Sequence, residues 1–248
     1  MIIGGILVLD MQKYEIAEVI FQTSAPKGKL LDFLKAYEYH GEENAELTIN
    51  VTDKEAEREI EIAKVKVDLD YAIGLSILRK LFEYIVSKKD GILLHASAVA
   101  VDDEAFLFLA KSGTGKSTHT RIYKKLFGDR VTIVNDDKPI LRLVNGEFFV
   151  YGTPWSGKAN LNSNVKVKVK GLCKLERGKD NEIFVLDNKS AVNTLLNQTV
   201  RFTSGELTLK SLEIIEKLVN EVSFYLLKCN QELTAGEISY KAMKEGIK

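Results

Sequence analysis

Lys116 and Ser117 stand directly behind a Gly113-Thr114-Gly115 turn, and a carboxylate pair, Asp136 and Asp137, follows one apolar strand further on. Upstream of the turn, one hairpin away, lies His95. A fixed cation, a hydroxyl and two carboxylates suit the handling of phosphate oxygens and a hard divalent ion. The stretch Ala110-Lys111-Ser112-Gly113-Thr114-Gly115-Lys116-Ser117 fits the phosphate-loop pattern G-x-x-x-x-G-K-[ST], with Ala110 in place of the first glycine. The two glycines let successive backbone N–H groups curl around an anion, in conformations a Cβ resists. Ser112, Gly113, Thr114, Gly115, Lys116, Ser117 and Thr118 are therefore expected to hold the phosphates of ATP, with Lys116 reaching the β- and γ-phosphates. Ser117, Asp136 and Asp137 are the expected ligands of Mg²⁺.

These groups need particular elements to bring them together. Ala105 to Leu109 reads as a buried strand feeding the turn, and Thr118 to Phe127 as the helix leaving it. That helix has a basic face, Arg121, Lys124 and Lys125, read as solvated, and an exposed His119 in its first turn. Val131 to Val134 is a short apolar strand ending in Asn135-Asp136-Asp137, the Walker B arrangement. One aspartate there would serve the metal and the other the incoming nucleophile; sequence does not apportion them. His95 is embedded in the apolar run Ile92 to Val101 and is expected to face the metal or the γ-phosphate, with Ser97 a structural companion.

Ile140 to Val144 and Glu147 to Tyr151 form a hairpin about Asn145-Gly146. It leads into Gly152-Thr153-Pro154-Trp155-Ser156-Gly157-Lys158, a loop expected at the mouth of the sheet, where Lys158 would neutralise charge on the transferring phosphoryl group. Val165 to Lys170 alternates strictly and reads as an edge strand guarded by lysines, or else as a basic ledge for an acidic peptide. Strands at Gly171 to Glu176, Glu182 to Asp187 and Glu221 to Cys229 follow. Helices at Lys189 to Leu196, Glu206 to Val219 and Thr234 to Lys244 complete the chain, and Arg201 lies between two of them, where a second phosphate clamp is the lesser reading.

The N-terminal part, 1–90, carries no catalytic constellation. Ile2 to Leu9 and Glu15 to Gln22 read as strands around a turn at Asp10 to Lys13. Leu30 to Tyr37 reads as a short helix. Glu46 to Thr52 and Glu59 to Leu69 alternate at strand period, with a bulge at Ala63. His40 is a surface residue, and Asp70 to Ser87 is an amphipathic helix closed by Lys88-Lys89-Asp90-Gly91. The expectation is a β-rich accessory or recognition region over 1–90 and a catalytic domain over 91–248.

Charge and composition narrow the partners. The 35 basic and 35 acidic residues cancel, so nothing global draws the chain to nucleic acid or an anionic membrane. No apolar run approaches a membrane span, and the short apolar start lacks a basic n-region. Cys173 and Cys229 are isolated and read as reduced thiols in a cytoplasmic protein.

The segment His95-Ala-Ser97-Ala, then Phe-Leu-Ala-Lys-Ser-Gly-Thr-Gly-Lys-Ser, then Asn-Asp136-Asp137 resembles the core shared by HPr kinase/phosphorylase and ATP-dependent phosphoenolpyruvate carboxykinase. The resemblance runs from Gly91 to Arg142. It implies an α/β P-loop core with a mixed, strand-rich sheet. It also implies Lys116 and Ser117 on nucleotide phosphates and Mg²⁺, an Asp136/Asp137 pair shared between metal and catalytic base, and His95 beside them. The oxaloacetate-binding basic residues of a carboxykinase are absent, and Tyr151 to Lys158 stands where HPr kinases carry a Glu-x-Arg-Gly segment. The chain is thus similar to HPr-kinase-like relatives that phosphorylate serine in small carriers or peptides. A hydroxyl-bearing acceptor, a nucleotide and a homo-oligomeric assembly are the expected partners. A nucleotide-binding switch without phosphotransfer would use the same loop.

Overall fold

The computed structural model describes residues 2, 3, 6, 7, 11–24, 26, 28–63, 66–157 and 159–247. They fall into two compact units, Met1–Ile85 and Val86–Lys248. No described helix is long and apolar enough to cross a membrane.

In the first unit, β1 (Ile2–Ile3) pairs antiparallel with β2 (Ile6–Leu7), and β3 (Met11–Ile16) forms a hairpin with β4 (Val19–Ser24). The expected single strand over Ile2 to Leu9 is therefore a tiny hairpin in its described residues; 4, 5 and 8–10 lie outside them. The turn expected at Asp10 to Lys13 is instead at Ala17-Glu18, with φ of 53° and 56°. Neither residue is a type that favours left-handed backbone, so composition gave no sign of it. Helix α1 (Gly28–Leu34) follows, and β5 (Leu47–Ile49) adds parallel to β4. Tyr14, Phe21, Leu34, Tyr37 and Ile49 are buried here.

The strand expected from Glu59 is helical: α2 spans Asp53–Ile62. Thr52 and Glu55 form a reciprocal capping box, which starts a helix and overrides the two-residue alternation of Glu59-Ile60-Glu61-Ile62. The alternation misled because its polar member turns inward. Glu59 is buried against Arg79, 2.7 Å away, on α3 (Leu69–Lys88). This unit is accordingly mixed α/β, not β-rich.

The second unit begins with β6 (Gly91–Leu93), β7 (Ala96–Val101), β8 (Glu104–Leu109), α4 (Lys116–Phe127) and β9 (Val131–Asn135). The hairpin β10 (Ile140–Val144) and β11 (Glu147–Tyr151) and the long β12 (Lys166–Arg177) come next. Then follow β13 (Glu182–Val185), α5 (Asn188–Gln198), α6 (Gly205–Glu221), β14 (Phe224–Cys229) and α7 (Leu233–Glu245). The strands form one nine-stranded mixed sheet, in the order β6-β10-β11-β12-β8-β7-β9, with β14 and β13 continuing from β12.

Strand β12 is the spine of this sheet. It pairs with β8 along one side, and with β11 and then β14 along the other. The edge-strand reading of Val165 to Lys170 is thus overturned: Lys168 pairs with Phe149 of β11 and with Glu104 of β8. Its lysines meet carboxylates, Lys168 with Glu147 and Lys170 with Glu104, because flanking strands supply them.

Alternation in β7 and β8 buries both faces. Ala98, Ala100, Leu107 and Leu109 pack under Leu195 of α5 and Ile214, Ile215 and Leu218 of α6. Val99, Val101, Phe106 and Phe108 pack under Tyr123 of α4 and Met243 of α7. Helix, sheet and helix form three layers. β6 lies at one end of the sheet order and β7 near the other, yet only Leu94 and His95 separate them. Three residue steps span at most about 11 Å, so the sheet coils until its two ends approach. His95 therefore occupies a break between strands, not a strand interior.

Candidate active site

The turn after β8 delivers its backbone in the conformation the glycines were expected to supply. Gly113 has φ 78° and Gly115 φ 125°. A Cβ at either would meet nothing within 4 Å, so dihedral strain and not crowding requires glycine. No side chain caps the first turn of α4, which leaves its amides to solvent or an anion. Lys116 is buried, and its Nζ donates to the Ala110 carbonyl at 3.2 Å. Burial lowers its pKa, while Asp137 and Asp136 pull the other way.

Lys116 Nζ also lies 3.2 Å from His95 Nε2, and that same nitrogen is 3.1 Å from Asp137 Oδ1. One ring nitrogen cannot accept from an ammonium and donate to a carboxylate at once. The imidazole thus has two alternatives at fixed atoms: Nε2–H bonded to Asp137, or bare Nε2 bonded to Lys116. Burial opposes the ionisation of Asp137, but the bonds from His95 and Lys138 outweigh it and bring its pKa down to about 2.

Asp136 faces the loop. Its Oδ2 accepts from Ser117 Oγ at 2.8 Å and its Oδ1 from Ser97 Oγ at 2.7 Å. Ser97 is fully buried beneath Asp136. The strand end that carries both acids is tied by Asn135, whose Oδ1 accepts the N–H groups of Asp137 and Lys138 at 2.8 and 2.7 Å. The Asn135 amide donates to the Thr153 carbonyl at 2.8 Å, and Thr153 Oγ1 donates to the Lys138 carbonyl at 2.8 Å. The Asp136 N–H donates to Leu161 O at 3.1 Å. The loop after β11 is therefore a brace for the carboxylates, packed by a buried Trp155.

The structure thus brings His95, Lys116, Ser117, Asp136 and Asp137 together, with Gly113, Thr114, Gly115 and Thr118 beside them. Ser112 is exposed in the loop. Lys158 lies outside the described residues. Sequence reasoning missed Lys138, the Asn135–Thr153 clasp and Arg177, whose Nη2 donates to the Gly113 carbonyl at 2.8 Å from the end of β12. Only Asn135 left a signal, as the residue before two acids at a strand end. Two clefts meet at Thr114 and Arg177. One of about 1050 Å³ reaches α5; one of about 440 Å³ lies along the start of α4.

His119 is a correction. It is 2 % exposed, edge-on to Phe108 at 4.4 Å, with Nε2 3.0 Å from Ser239 Oγ. Helix α7 covers that side of α4, a contact no local pattern announces. Ser239 Oγ donates to Gly236 O, so His119 is the Nε2–H donor. Burial pushes its pKa down to about 4. The folded pKa lies below the unfolded value of about 6.5, so this stability is full above that pH and is lost as pH falls towards 4. Between pH 7 and pH 4 the unfolding free energy should fall by about 3 kcal/mol more in the native protein than in His119→Gln, read by urea titration.

No protein-family model and no curated protein matches this chain. Among solved structures, the HPr(Ser) kinase/phosphatase from Coxiella burnetii is 12 % identical and aligns over 60 % of this chain and 91 % of that one, with a TM-score of 0.32. The likeness is distant.

Proposed function

We propose that this chain is an ATP- and Mg²⁺-dependent kinase that transfers the γ-phosphate to a hydroxyl, such as serine, of a small protein, peptide or small molecule. The observation that carries this reading is the direct approach of the glycine turn to both acids. Ser117 bonds Asp136 at 2.8 Å, while Lys116 and Asp137 meet across His95. The donor set fits magnesium: a hydroxyl and a carboxylate are hard oxygen ligands. Among the described residues no three His, Cys, Asp or Glu side chains form a cage. A magnesium ion held by one or two carboxylates and substrate phosphates needs none.

Ser117 and Asp136 would hold that ion, which when bound neutralises charge on the β- and γ-phosphates. Lys116 bonds the phosphate oxygens where charge accumulates. Asp137, ionised and steadied by Lys138, orients the acceptor hydroxyl and takes its proton. Its low basicity is tolerable because a loose phosphoryl-transfer transition state needs little early proton removal. His95 lies between Lys116 and Asp137 and bonds one or the other through its single Nε2. Residues 91–248 carry the chemistry in this reading, and 1–90 serve recognition.

Calorimetry with MgATP and an ADP-release assay test it together. The expected result is saturable MgATP binding, with ADP formation that rises with a hydroxyl acceptor and a phosphorylated product. ADP formation indifferent to every acceptor would leave a nucleotide switch; absence of MgATP binding would overturn both.

A further inference from the structure

In the kinase reading the phosphate site has a direction, and the two clefts, which share Thr114, Leu175 and Arg177, extend from it along different elements. Lys116 Nζ, His95 and Asp137 mark the terminal-phosphate end. Thr118 and His119, at the start of α4, mark the other, and they line the smaller cleft. Its 440 Å³ is in the range for a small-molecule site. The larger cleft belongs to the terminal end. It is lined by Ala110, whose carbonyl accepts from Lys116, and by Gln198, whose carbonyl accepts the His95 N–H at 2.7 Å.

The wall of this larger cleft is chemically distinct. Ser190, Asn193, Thr194 and Asn197 of α5 all line it, at spacings that place them on one helical face. Below that stripe Ala191 and Leu195 bury into the core, so the helix is anchored by one face. On the other face Ser190 Oγ donates to Asp187, Thr194 Oγ1 to the Ser190 carbonyl and Asn197 Nδ2 to the Asn193 carbonyl, so that face presents chiefly the oxygens of these side chains and the Asn193 amide. Lys111 and Arg177 stand at the lip near the loop, and Lys174 and Glu176, on the floor, pair at 2.6 Å. The cleft therefore presents a neutral polar wall rich in acceptor oxygens, and its charges are confined to the loop end and a self-neutralised pair. At about 1050 Å³ it is far larger than one amino acid needs, and it lies outside the carboxyl ends of β8 and β12, where open α/β sheets bind ligands.

We propose that this cleft is the acceptor subsite, and that it takes an extended, uncharged peptide segment whose backbone amides pair with the α5 stripe while its serine reaches Asp137. This assignment rests on the kinase reading above and goes beyond it in naming the acceptor's chemistry and the wall that reads it.

The test uses the full chain, MgATP, a randomised serine-centred octapeptide library, free L-serine and glycerol. It compares the native protein with Asn193→Ala/Asn197→Ala and with Lys189→Ala, an exposed α5 residue outside the cleft. The native protein should phosphorylate the library well above free serine or glycerol. The double variant should raise the peptide KM by roughly tenfold, the loss of two modest hydrogen bonds, with kcat less affected and MgATP affinity unchanged. Lys189→Ala should match the native protein. An unchanged peptide KM in the double variant overturns the cleft assignment. MgATP binding with free serine or glycerol as the better acceptor, or with no acceptor phosphorylated, overturns the peptide assignment and leaves the nucleotide site standing. Failure of the native protein to bind MgATP removes the kinase reading and this proposal with it.

Discussion

Lys116→Ala should lower phosphoryl transfer by roughly 10²–10³-fold, the usual cost of removing a preorganised group from developing charge. The lysine head is placed by Ala110 O and lies 3.2 Å from His95 Nε2, so in the kinase reading it is positioned before phosphate arrives. Burial without a full counter-charge already lowers its pKa, and phosphate oxygens would relieve that penalty. Asp137→Asn should cost a similar factor, because the neutral amide neither takes a proton nor holds His95 and Lys138 in the same way. Combining the two should fall well short of the product of the single losses, since in the kinase reading both groups serve one transfer step. Single-turnover transfer from labelled ATP reads the rates, and circular dichroism melting confirms the fold. Transfer that persists in both single variants would place the chemistry elsewhere. Asp137 stays ionised down to a pH of about 2, so any acid limb in the rate at pH 5 to 6 belongs to another group.

Gly152→Ala should destabilise the protein by about 3 kcal/mol or more. A Cβ there would lie 1.8 Å from the Ser163 carbonyl oxygen and 2.8 Å from that of Val134. Both obstacles are backbone, so no side chain can rotate away. The only relief is to part the loop from β9, which breaks the Ser163 N–H bond to Val134 O and the Gly152 N–H bond to Val165 O, each 3.1 Å. The Asp136 N–H bond to Leu161 O lies in the same layer, so the carboxylate would move with it. Activity should fall alongside stability. Gly205→Ala, at the first position of α6 with nothing within 4 Å of the added Cβ, is the contrasting control and should change stability by less than about 1 kcal/mol. Urea unfolding of the two variants decides. Equal midpoints would mean that the loop does not brace the carboxylates.

Much of the second unit was legible in the residues. The Asn145-Gly146 hairpin, the strand feeding the glycine turn, the helix behind it and the helices after β12 follow from turn chemistry and short-range periodicity. These signals are local, and local physics sets them. The misreadings share a cause. Glu59-Ile60-Glu61-Ile62 alternates like a strand, but the Thr52–Glu55 cap makes it a helix and a distant Arg79 explains its buried acid. His119 looks exposed on a polar helix until α7 covers it. Val165 to Lys170 looks like a guarded edge until β8 and β11 pair with it from both sides.

The candidate site divides along the same line. Sequence alone determined the backbone that can curl around an anion, because glycines at 113 and 115 permit dihedrals other residues resist. It also determined that carboxylates end an apolar strand. Only the tertiary structure decided that Asp136 belongs with Ser117 and Asp137 with His95. That division depends on a sheet coiled far enough for β6 and β7 to be joined by two residues, and on a loop clasped to Asn135 from Thr153. Such contacts join residues far apart in the chain, and no pattern along one segment encodes the partner it will meet.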